Sequence, residues 1–372
     1  MRTFDSLEVR RPQLARSYLQ LLRAQPGRPI ALFAPRRVGK TFFLDHDLTP
    51  EARAAGIVPV YADVWLHKSA PLEAINHALE EALDDSRVPA TSSGKLARTA
   101  VKKLGGFGAS IELGEAPARR QLPAQAELRL DALIGRLASA TRKSILLMLD
   151  EIQALGELAR GEATIATLRA VLQRNRRRVF AVFTGSSQES LSAMMSAAGG
   201  PMYQFAQLLD FPVLGEEYLN LLAGHFSRIH KNKGIDVAEL SRVFERVGHK
   251  PALMKDLVKS MSAEGTTDVN LALKRMMADD RQVAGWRGLL TSVQPFERAL
   301  LVLVAQGKPP MAGETLAQLH RIKGFKPTIS RIRAALDKLK RAGVMTRTRG
   351  SYRIEDRLFA EHLATLAIGR EL

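Results

Sequence analysis

The sequence of 372 residues contains no cysteine. This absence excludes disulfide bonds, thiolate zinc sites and cysteine nucleophiles. The sequence also lacks any apolar run close to the roughly 18 residues that are needed to cross a bilayer. Its first twenty residues are amphipathic and have no apolar centre of the kind found in secretory signals. We therefore expect a cytoplasmic protein with no membrane partner.

Positive charge, in contrast, is in excess. The chain has 55 Lys and Arg residues against 38 Asp and Glu residues, a formal net charge of +17. From Trp286 onward, 16 basic residues stand against 7 acidic ones, so the excess is concentrated near the C-terminus. Such a field attracts polyanions, most often nucleic acid. The alternative is a general abundance of arginine whose charges are simply solvated.

Short apolar runs alternate with helical patterns in the first half of the chain. The runs cover residues 30–34, 56–65, 144–155 and 179–187. Continuous apolar runs are typical of strands that are buried on both faces. Strands that alternate with helices predict an α/β fold, a parallel sheet with helices on both faces. We expect this domain over residues 1–212, with the Gly-, Ser- and Lys/Arg-rich segment 89–123 as an inserted ribbon or linker.

The segment APRRVGKT follows the first apolar run and opens a helix, which is the context of a phosphate-binding loop. Lys40 would reach the β- and γ-phosphates of ATP, and the Thr41 hydroxyl would ligate Mg²⁺. Ala34 replaces the usual first glycine, which is tolerable if its φ is negative. The residues expected to bind the nucleotide in this loop are Ala34, Pro35, Arg36, Arg37, Val38, Gly39, Lys40 and Thr41.

The most apolar run ends in Asp150 and Glu151. Acids at this edge of an open α/β sheet lie where ligands bind. Asp150 would hold Mg²⁺, and Glu151 would orient and activate the attacking water. The alternative is a strand that simply ends in acidic turn residues. At the end of the next run, Thr184 or Ser186 could contact the γ-phosphate or its water, or the serine could merely cap a helix.

The run RNRRR at residues 174–178 ends a predicted helix. One of its arginines could act as an arginine finger, either within the chain or across a subunit interface. Alternatively, the positive charge only favours the C-terminus of the helix.

These motifs, followed by GPMYQFAQLLDFPVL (200–214) and GHKPALMKDL (248–257), resemble the archaeal-type ATPases of the STAND class. These are relatives of AAA+ proteins and are close in fold to replication initiators. The resemblance implies an ASCE/AAA+-like P-loop NTPase sheet, a helical lid over 213–285 and a winged helix over 286–372. It also allows a nucleotide-dependent homo-oligomer.

The resemblance implies further site residues in the lid. Gly248, His249 and Pro251 would lie near the base or ribose, although His249 could equally be a helix-end residue without a ligand. The chain departs from the family at Ala34 and in PMYQFA (201–206), where the family often has an arginine. Both departures concern the rate of hydrolysis more than nucleotide binding.

The residues themselves also predict a winged helix. Three helical patterns precede MTRTRGSYRIED, which predicts a strand, a glycine turn and a second strand. The third helix would enter the major groove of DNA, and the wing would contact phosphates or the minor groove. The expected DNA contacts are Lys326, Thr328, Arg331, Arg333, Arg347, Arg349 and Arg353. Alternatively, this domain docks a protein.

The leading hypothesis is a slow ATPase that acts as a molecular switch and engages duplex DNA. The second is a regulatory or defence ATPase whose winged helix docks a protein partner. A third is a scaffold that binds nucleotide without hydrolysing it.

Overall fold

A computed structural model describes Phe4 and residues 7–67, 69–87, 121–157, 161–186, 188–196, 199–231, 233–322, 324–348 and 350–366. Most of the predicted insertion, residues 88–120, and Arg349 therefore lie outside the described residues. Within the described ranges, no helix combines the length and the apolarity needed to cross a membrane.

The first half of the chain forms a five-stranded sheet in the order β2-β3-β4-β1-β5, and every pairing is parallel. This confirms the predicted parallel α/β sheet. The strands are β1 Ile30–Phe33, β2 Val58–Asp63, β3 Ile145–Asp150, β4 Val179–Gly185 and β5 Gln207–Asp210.

Strand β5 lies within the segment GPMYQFAQLLDFPVL at residues 200–214. It is an edge strand, paired only with β1 among the described strands, and its residues alternate between half-buried and exposed. Alternation replaces the continuous apolar run because one face of this edge is open to solvent.

Strand β3, which lies between β2 and β4, is buried at all six of its positions. Its alternate residues enter two different cores, because successive side chains of a strand point to opposite faces. Leu147 and Leu149 belong to one core, and Leu146 and Met148 belong to the other.

Helices cover both faces of the sheet. They are α1 Pro12–Ala24, α2 Lys40–Phe43, α3 Thr49–Ala54, α4 Pro71–Arg87, α5 Ala126–Thr141, α6 Gly161–Arg174 and α7 Gln188–Ser196. A π-helical turn at Leu44–Leu48 joins α2 to α3, and a 3₁₀ helix at Ile152–Glu157 follows β3.

The lid is helical, as predicted. Its helices are α8 Glu216–Ile229, α9 Val237–Arg246, α10 Pro251–Glu264, α11 Val269–Ala278 and α12 Asp280–Ser292. The next elements are α13 Pro295–Ala305, α14 Gly313–His320, α15 Ile329–Arg341, β6 Met345–Thr348, β7 Ser351–Ile354 and α16 Arg357–Ala364. Three helices and an antiparallel hairpin in this order form a winged helix, with Gly350 turning the hairpin at φ 83°.

The lid and the winged helix share one hydrophobic core. The predicted boundary between residues 285 and 286 falls inside α12. From this helix, Trp286 packs 6.1 Å from the ring of Phe359 and stacks 5.0 Å from His362. The lid and the winged helix thus differ in topology, but their buried side chains form one continuous core.

Candidate nucleotide site

The phosphate loop leaves β1 at the carboxyl edge of the sheet and leads into α2. Gly39 has φ 95° and Arg37 has φ 65°. A side chain at positive φ is strained, so Gly39 is the natural residue there. Ala34 is absent from the described non-glycine residues with positive φ, and its N–H donates to Gly185 O at 3.3 Å. Its methyl group therefore introduces no backbone strain.

Lys40 lies inside this loop, with only 6% of its surface exposed. Its ammonium donates to Ala34 O at 2.5 Å and to Pro35 O at 2.9 Å. Burial lowers the pKa of Lys40, while the nearby charges of Glu151 and Asp150 act to raise it. The loop thus holds a buried cation, which suits the binding of an anionic ligand.

Asp150 binds hydroxyl groups from three elements. Its Oδ2 accepts from Thr41 Oγ1 at 2.8 Å and from Tyr61 Oη at 3.1 Å. Its Oδ1 accepts from the Thr184 hydroxyl and from the N–H of Glu151, the latter at 3.1 Å. Burial, followed by the charge of Asp150, raises the pKa of Tyr61, so the phenol stays a donor.

Thr41 and Asp150 also fit the requirements of Mg²⁺. The ion takes oxygen ligands and binds through one or two protein groups, with waters and substrate phosphates completing its shell. The structure brings the hydroxyl and the carboxylate together at 2.8 Å beside the phosphate loop. The donor set is therefore of the right kind and in the right place.

Glu151 has φ 56°, a strained backbone conformation of the kind that clusters at functional sites. Its Oε2 accepts from Ser186 Oγ at 2.7 Å, from Ser186 N at 3.2 Å and from the Gln153 amide. The carboxylate is thus held between β3 and the end of β4, on the phosphate-loop side of the sheet.

Thr184 and Ser186 occupy different parts of the site. The Thr184 side chain is fully buried and contacts Asp150, whereas Ser186 contacts Glu151. Of the two alternatives at the end of this strand, Ser186 is the one beside the candidate base. Tyr61 and Gln153 were not predicted as site residues, because nothing in the sequence marks a strand tyrosine or a helix-turn glutamine as a partner of these acids.

A cleft of about 410 Å³ opens between the phosphate loop and the lid. Its lining from the loop includes Arg36, Arg37, Val38, Gly39, Lys40 and Thr41, with Glu151 beside them. The lid contributes Tyr218, Pro251, Ala252 and Lys255, and the N-terminal segment contributes Leu7, Glu8, Val9 and Arg11. The N-terminal segment was missed from the sequence, which there shows only a helical pattern.

Of the predicted lid residues, Pro251 lines this cleft, whereas Gly248 and His249 are outside its lining. They follow α9, which ends at Arg246; both have positive φ, and the His249 ring packs 5.0 Å from Phe244. Burial and the neighbouring Arg357 lower the pKa of His249. A contact of His249 with the base or ribose stays a prediction.

Arg36 and Arg37 both line the nucleotide cleft, but only Arg36 also lines a second cavity, which it shares with residues of the winged helix. Arg36 Nε donates to Ser186 Oγ at 3.3 Å, and the guanidinium lies 4.7 Å from the centre of the Trp65 ring. Its backbone N–H donates to Glu355 Oε1 at 3.2 Å. Arg36 therefore connects the candidate base to the winged helix.

The arginine run at 174–178 lies between α6 and the amino end of β4. The phosphate loop follows the carboxyl end of the neighbouring parallel strand β1, so the run is at the opposite edge of the sheet. Arg174 pairs with Asp131 at 2.9 Å. An arginine finger from this run is therefore compatible only with a contact across subunits.

The predicted DNA-binding residues are mostly exposed, but several have partners. Lys326, Arg333 and Arg353 are exposed. Thr328 caps α15 by accepting from the Arg331 N–H at 3.2 Å.

Two of the remaining residues that were predicted to contact DNA lie against aromatic rings. The guanidinium of Arg331 lies 4.3 Å from the centre of the Phe296 ring, and that of Arg347 lies 5.2 Å from Tyr352. These are cation–π contacts, which orient the two arginines. Arg349 is outside the described residues.

Comparisons with known proteins give a likeness of fold. No protein family model matches the chain, and no curated protein matches it. The solved Walker-type ATPase of Pyrococcus abyssi is similar with a TM-score of 0.58 and 18% identity, over 97% of each chain. That similarity shows a shared fold, a parallel α/β P-loop-like sheet with a helical lid and a C-terminal winged helix.

Two further solved structures are similar at a lower level. The ORC2 protein of Aeropyrum pernix, in its ADPNP–ADP complexes, has a TM-score of 0.49 at 17% identity and covers 94% of this chain and 90% of that one. The ORC1 protein of the same organism, in complex with DNA, has a TM-score of 0.46 at 15% identity, with the same coverage.

Proposed function

We propose that this protein is an ATP-hydrolysing molecular switch that engages duplex DNA through its winged helix. The observation that carries the proposal is the convergence of Lys40, Thr41, Asp150 and Glu151 at one edge of the sheet. The direct Thr41–Asp150 hydrogen bond of 2.8 Å ties the phosphate loop to the acidic strand end. This pairing of a loop hydroxyl with a strand-end acid is what magnesium-dependent phosphoryl transfer requires.

ATP binds with its phosphates in the loop and its base towards the lid. The N–H groups of the loop and the start of α2 donate to the phosphates, and Lys40 exchanges its contacts with loop carbonyls for phosphate oxygens. The lining of the cleft includes the apolar side chains of Leu7, Val9 and Leu214. This apolar part of the lining suits a base, as most ligand pockets are apolar with a few polar groups.

Thr41 and Asp150 would hold Mg²⁺, whose chemistry is to neutralise charge on the phosphate oxygens. The Tyr61 and Thr184 hydroxyls orient the Asp150 carboxylate from behind. Such supporting hydrogen bonds fix the direction of a metal ligand.

Glu151 orients the attacking water and accepts its proton. Its Oε2 accepts from Ser186 and Gln153, which fixes the direction of the carboxylate, so Oε1 is the oxygen that would accept from the water.

The winged helix binds DNA through α15 and the β6–β7 hairpin. Support comes from the exposed basic residues Lys326, Arg333 and Arg353, and from the excess of basic over acidic residues after Trp286. The exposed positions reach phosphates or base edges, and the ring-supported Arg331 and Arg347 lie beside them.

The test is to measure ATP turnover with and without duplex DNA, and DNA affinity over about 50 to 200 mM salt. We expect slow release of phosphate and a DNA affinity that falls steeply as salt rises. No ATP turnover would contradict the enzyme assignment. A DNA affinity that is absent or independent of salt would contradict the DNA assignment.

One feature favours a second candidate, a protein partner for the winged helix. A cleft of about 440 Å³ is lined by residues that include Phe296, Phe325, Arg331 and Lys338. The two rings pack edge to face with centroids 5.4 Å apart. This candidate predicts that Phe325→Ala weakens binding of a protein ligand and leaves any DNA affinity unchanged, whereas Arg333→Ala does the reverse.

A further inference from the structure

Glu355 follows the last strand of the wing and reaches the phosphate loop. Its own N–H donates to Val344 O at 3.0 Å, which fixes the residue beside the start of β6. Its carboxylate Oε1 accepts the backbone N–H of Arg36 at 3.2 Å. Residues 319 positions apart thus meet within the nucleotide-binding loop.

The Arg36 N–H is one of the donors that the loop provides for phosphate. Backbone N–H groups in such loops form an anion-binding concavity. On its other side, Arg36 contacts Ser186, which donates to Glu151. The carboxylate of Glu355 therefore lies at the part of the loop next to the candidate base, where a terminal phosphate and its attacking water would be.

Further contacts hold the wing in this position. The Arg36 guanidinium is so close to the turn before β6 that a Cβ at Gly343 would lie 2.5 Å from Nη1. A cavity of about 470 Å³ lies between the wing and the sheet domain, and Arg36, Ser186 and Glu355 all contribute to its lining. Helix α7 also contacts β6.

The charge of Glu355 acts on Lys40 of the phosphate loop. Together with Glu151 and Asp150, it is one of the three carboxylates whose charge acts on Lys40. Its anionic charge thus lies where an incoming γ-phosphate would bring more negative charge. Like charges that compete for one donor repel, and the repulsion is stronger away from bulk water.

We propose that Glu355 is a specificity-determining residue of the nucleotide site, which occupies the γ-phosphate side of the loop until ATP displaces it. The inference rests on the proposed function as an ATP-binding protein. ADP lacks the competing phosphate and leaves Glu355 in place. ATP displaces the carboxylate and, with it, the wing. The position of the winged helix therefore depends on whether the bound nucleotide is a triphosphate.

The test compares the affinities of ADP and of a non-hydrolysable ATP analogue by titration calorimetry. In Glu355→Gln the competing charge is gone, so we expect analogue affinity to rise about tenfold, the change for roughly one lost charge repulsion. ADP affinity should change less than about twofold. The matched control is Glu361→Gln, because Glu361 pairs with Arg246 between the winged helix and the lid and not with the loop.

The second measurement follows the wing directly. Because the chain has no cysteine, Lys143→Cys with Ser351→Cys gives two unique labelling sites, both exposed, for energy transfer between the sheet domain and the wing. In the otherwise unchanged chain, the ATP analogue should lower the transfer and ADP should not. With Glu355→Gln, whose amide oxygen can still accept from the Arg36 N–H, the transfer should stay high without nucleotide and fall at a lower concentration of the ATP analogue.

The outcomes separate the two proposals. If neither nucleotide binds the unchanged chain, the proposed function is wrong. If both bind, but Glu355→Gln leaves the analogue affinity and the transfer unchanged, the role of Glu355 is wrong and the proposed function stands. Should Glu355→Gln fail to fold, as judged by thermal unfolding, Glu355→Asp serves instead. Its shorter carboxylate should give a smaller change in the same direction, and no change would overturn the proposal.

Discussion

The nucleotide site and the basic surface of the winged helix are built in opposite ways. At the nucleotide site, Lys40, Asp150 and Thr184 are buried, and each is held by hydrogen bonds to other elements. On the winged helix, Arg333 and Arg353 are exposed. The first region fixes the position of every charge, whereas the second presents charges to solvent. Mutations should therefore have large, specific effects in the first and small, additive effects in the second.

Glu151→Gln should cause the largest loss. Removing a general base costs about 10² to 10⁴ in rate, and the amide keeps the shape of the side chain. We expect phosphate release to fall by at least about 100-fold while ATP affinity stays within about threefold. Single-turnover measurements with labelled ATP would check both. Equal turnover in the variant and the unchanged chain would remove Glu151 from the chemistry.

Lys40→Ala should abolish most of the ATP affinity. A hydrogen bond to a charged group is worth up to about 3 kcal/mol, or roughly 100-fold in affinity. Titration with a fluorescent ATP analogue would measure the change. The control is Lys143→Ala, an exposed lysine of the same domain, which should leave affinity unchanged. A Lys40→Ala protein that binds as tightly as the unchanged chain would disprove the site.

Arg333→Ala and Arg353→Ala should each weaken DNA binding by several fold and reduce the salt dependence by about one counterion. Lys338→Ala provides a contrast within α15, because Lys338 pairs with Glu297 at 2.8 Å. Its charge is already partly neutralised, so its removal should change the slope less. Fluorescence anisotropy with a labelled duplex over a salt series would rank them. A larger change for Lys338 than for Arg333 would reverse the expected order.

The smallest effect should come from His249, which lies in the lid near Arg357 of the winged helix. Burial lowers the pKa of His249 from 6.5. The unfolded chain then binds a proton more readily, so the free energy of unfolding decreases as pH falls through 6.5 and levels off below the lowered pKa. Denaturant titrations at a series of pH values would show this slope. His249→Asn, which tolerates the positive φ, should reduce it, and an unchanged slope would count against His249 as its source.

The same contrast explains what the sequence could predict. The loop, the acidic strand end and the winged-helix topology follow from local patterns, because backbone direction and strand order bring these motifs together. Strand β3 was found from its apolar run because it is buried on both faces. No bounds were predicted for edge strand β5, because four residues that alternate in burial give only a weak strand pattern.

Partners distant in sequence could not be predicted. Tyr61 and Ser186 contact the acids only because parallel strands bring their ends together, and the bond between Arg36 and Glu355 depends on how two domains pack. Charge patterns likewise predict exposed arginines but not which of them rest on a ring, as Arg331 rests on Phe296. The lid residue His249 shows the same limit, since its motif is local and its position relative to the cleft is not.

The shared core of the lid and winged helix restricts the motion of these two units relative to each other. Because Trp286 on the connecting helix packs against Phe359 of the winged helix, the two units should turn together as one lever. This joined unit reaches the nucleotide site at two places, through Pro251 of the lid at the cleft and through Glu355 after the wing at the phosphate loop. A displacement of the lid by a bound nucleotide is then passed on to the wing through the shared core.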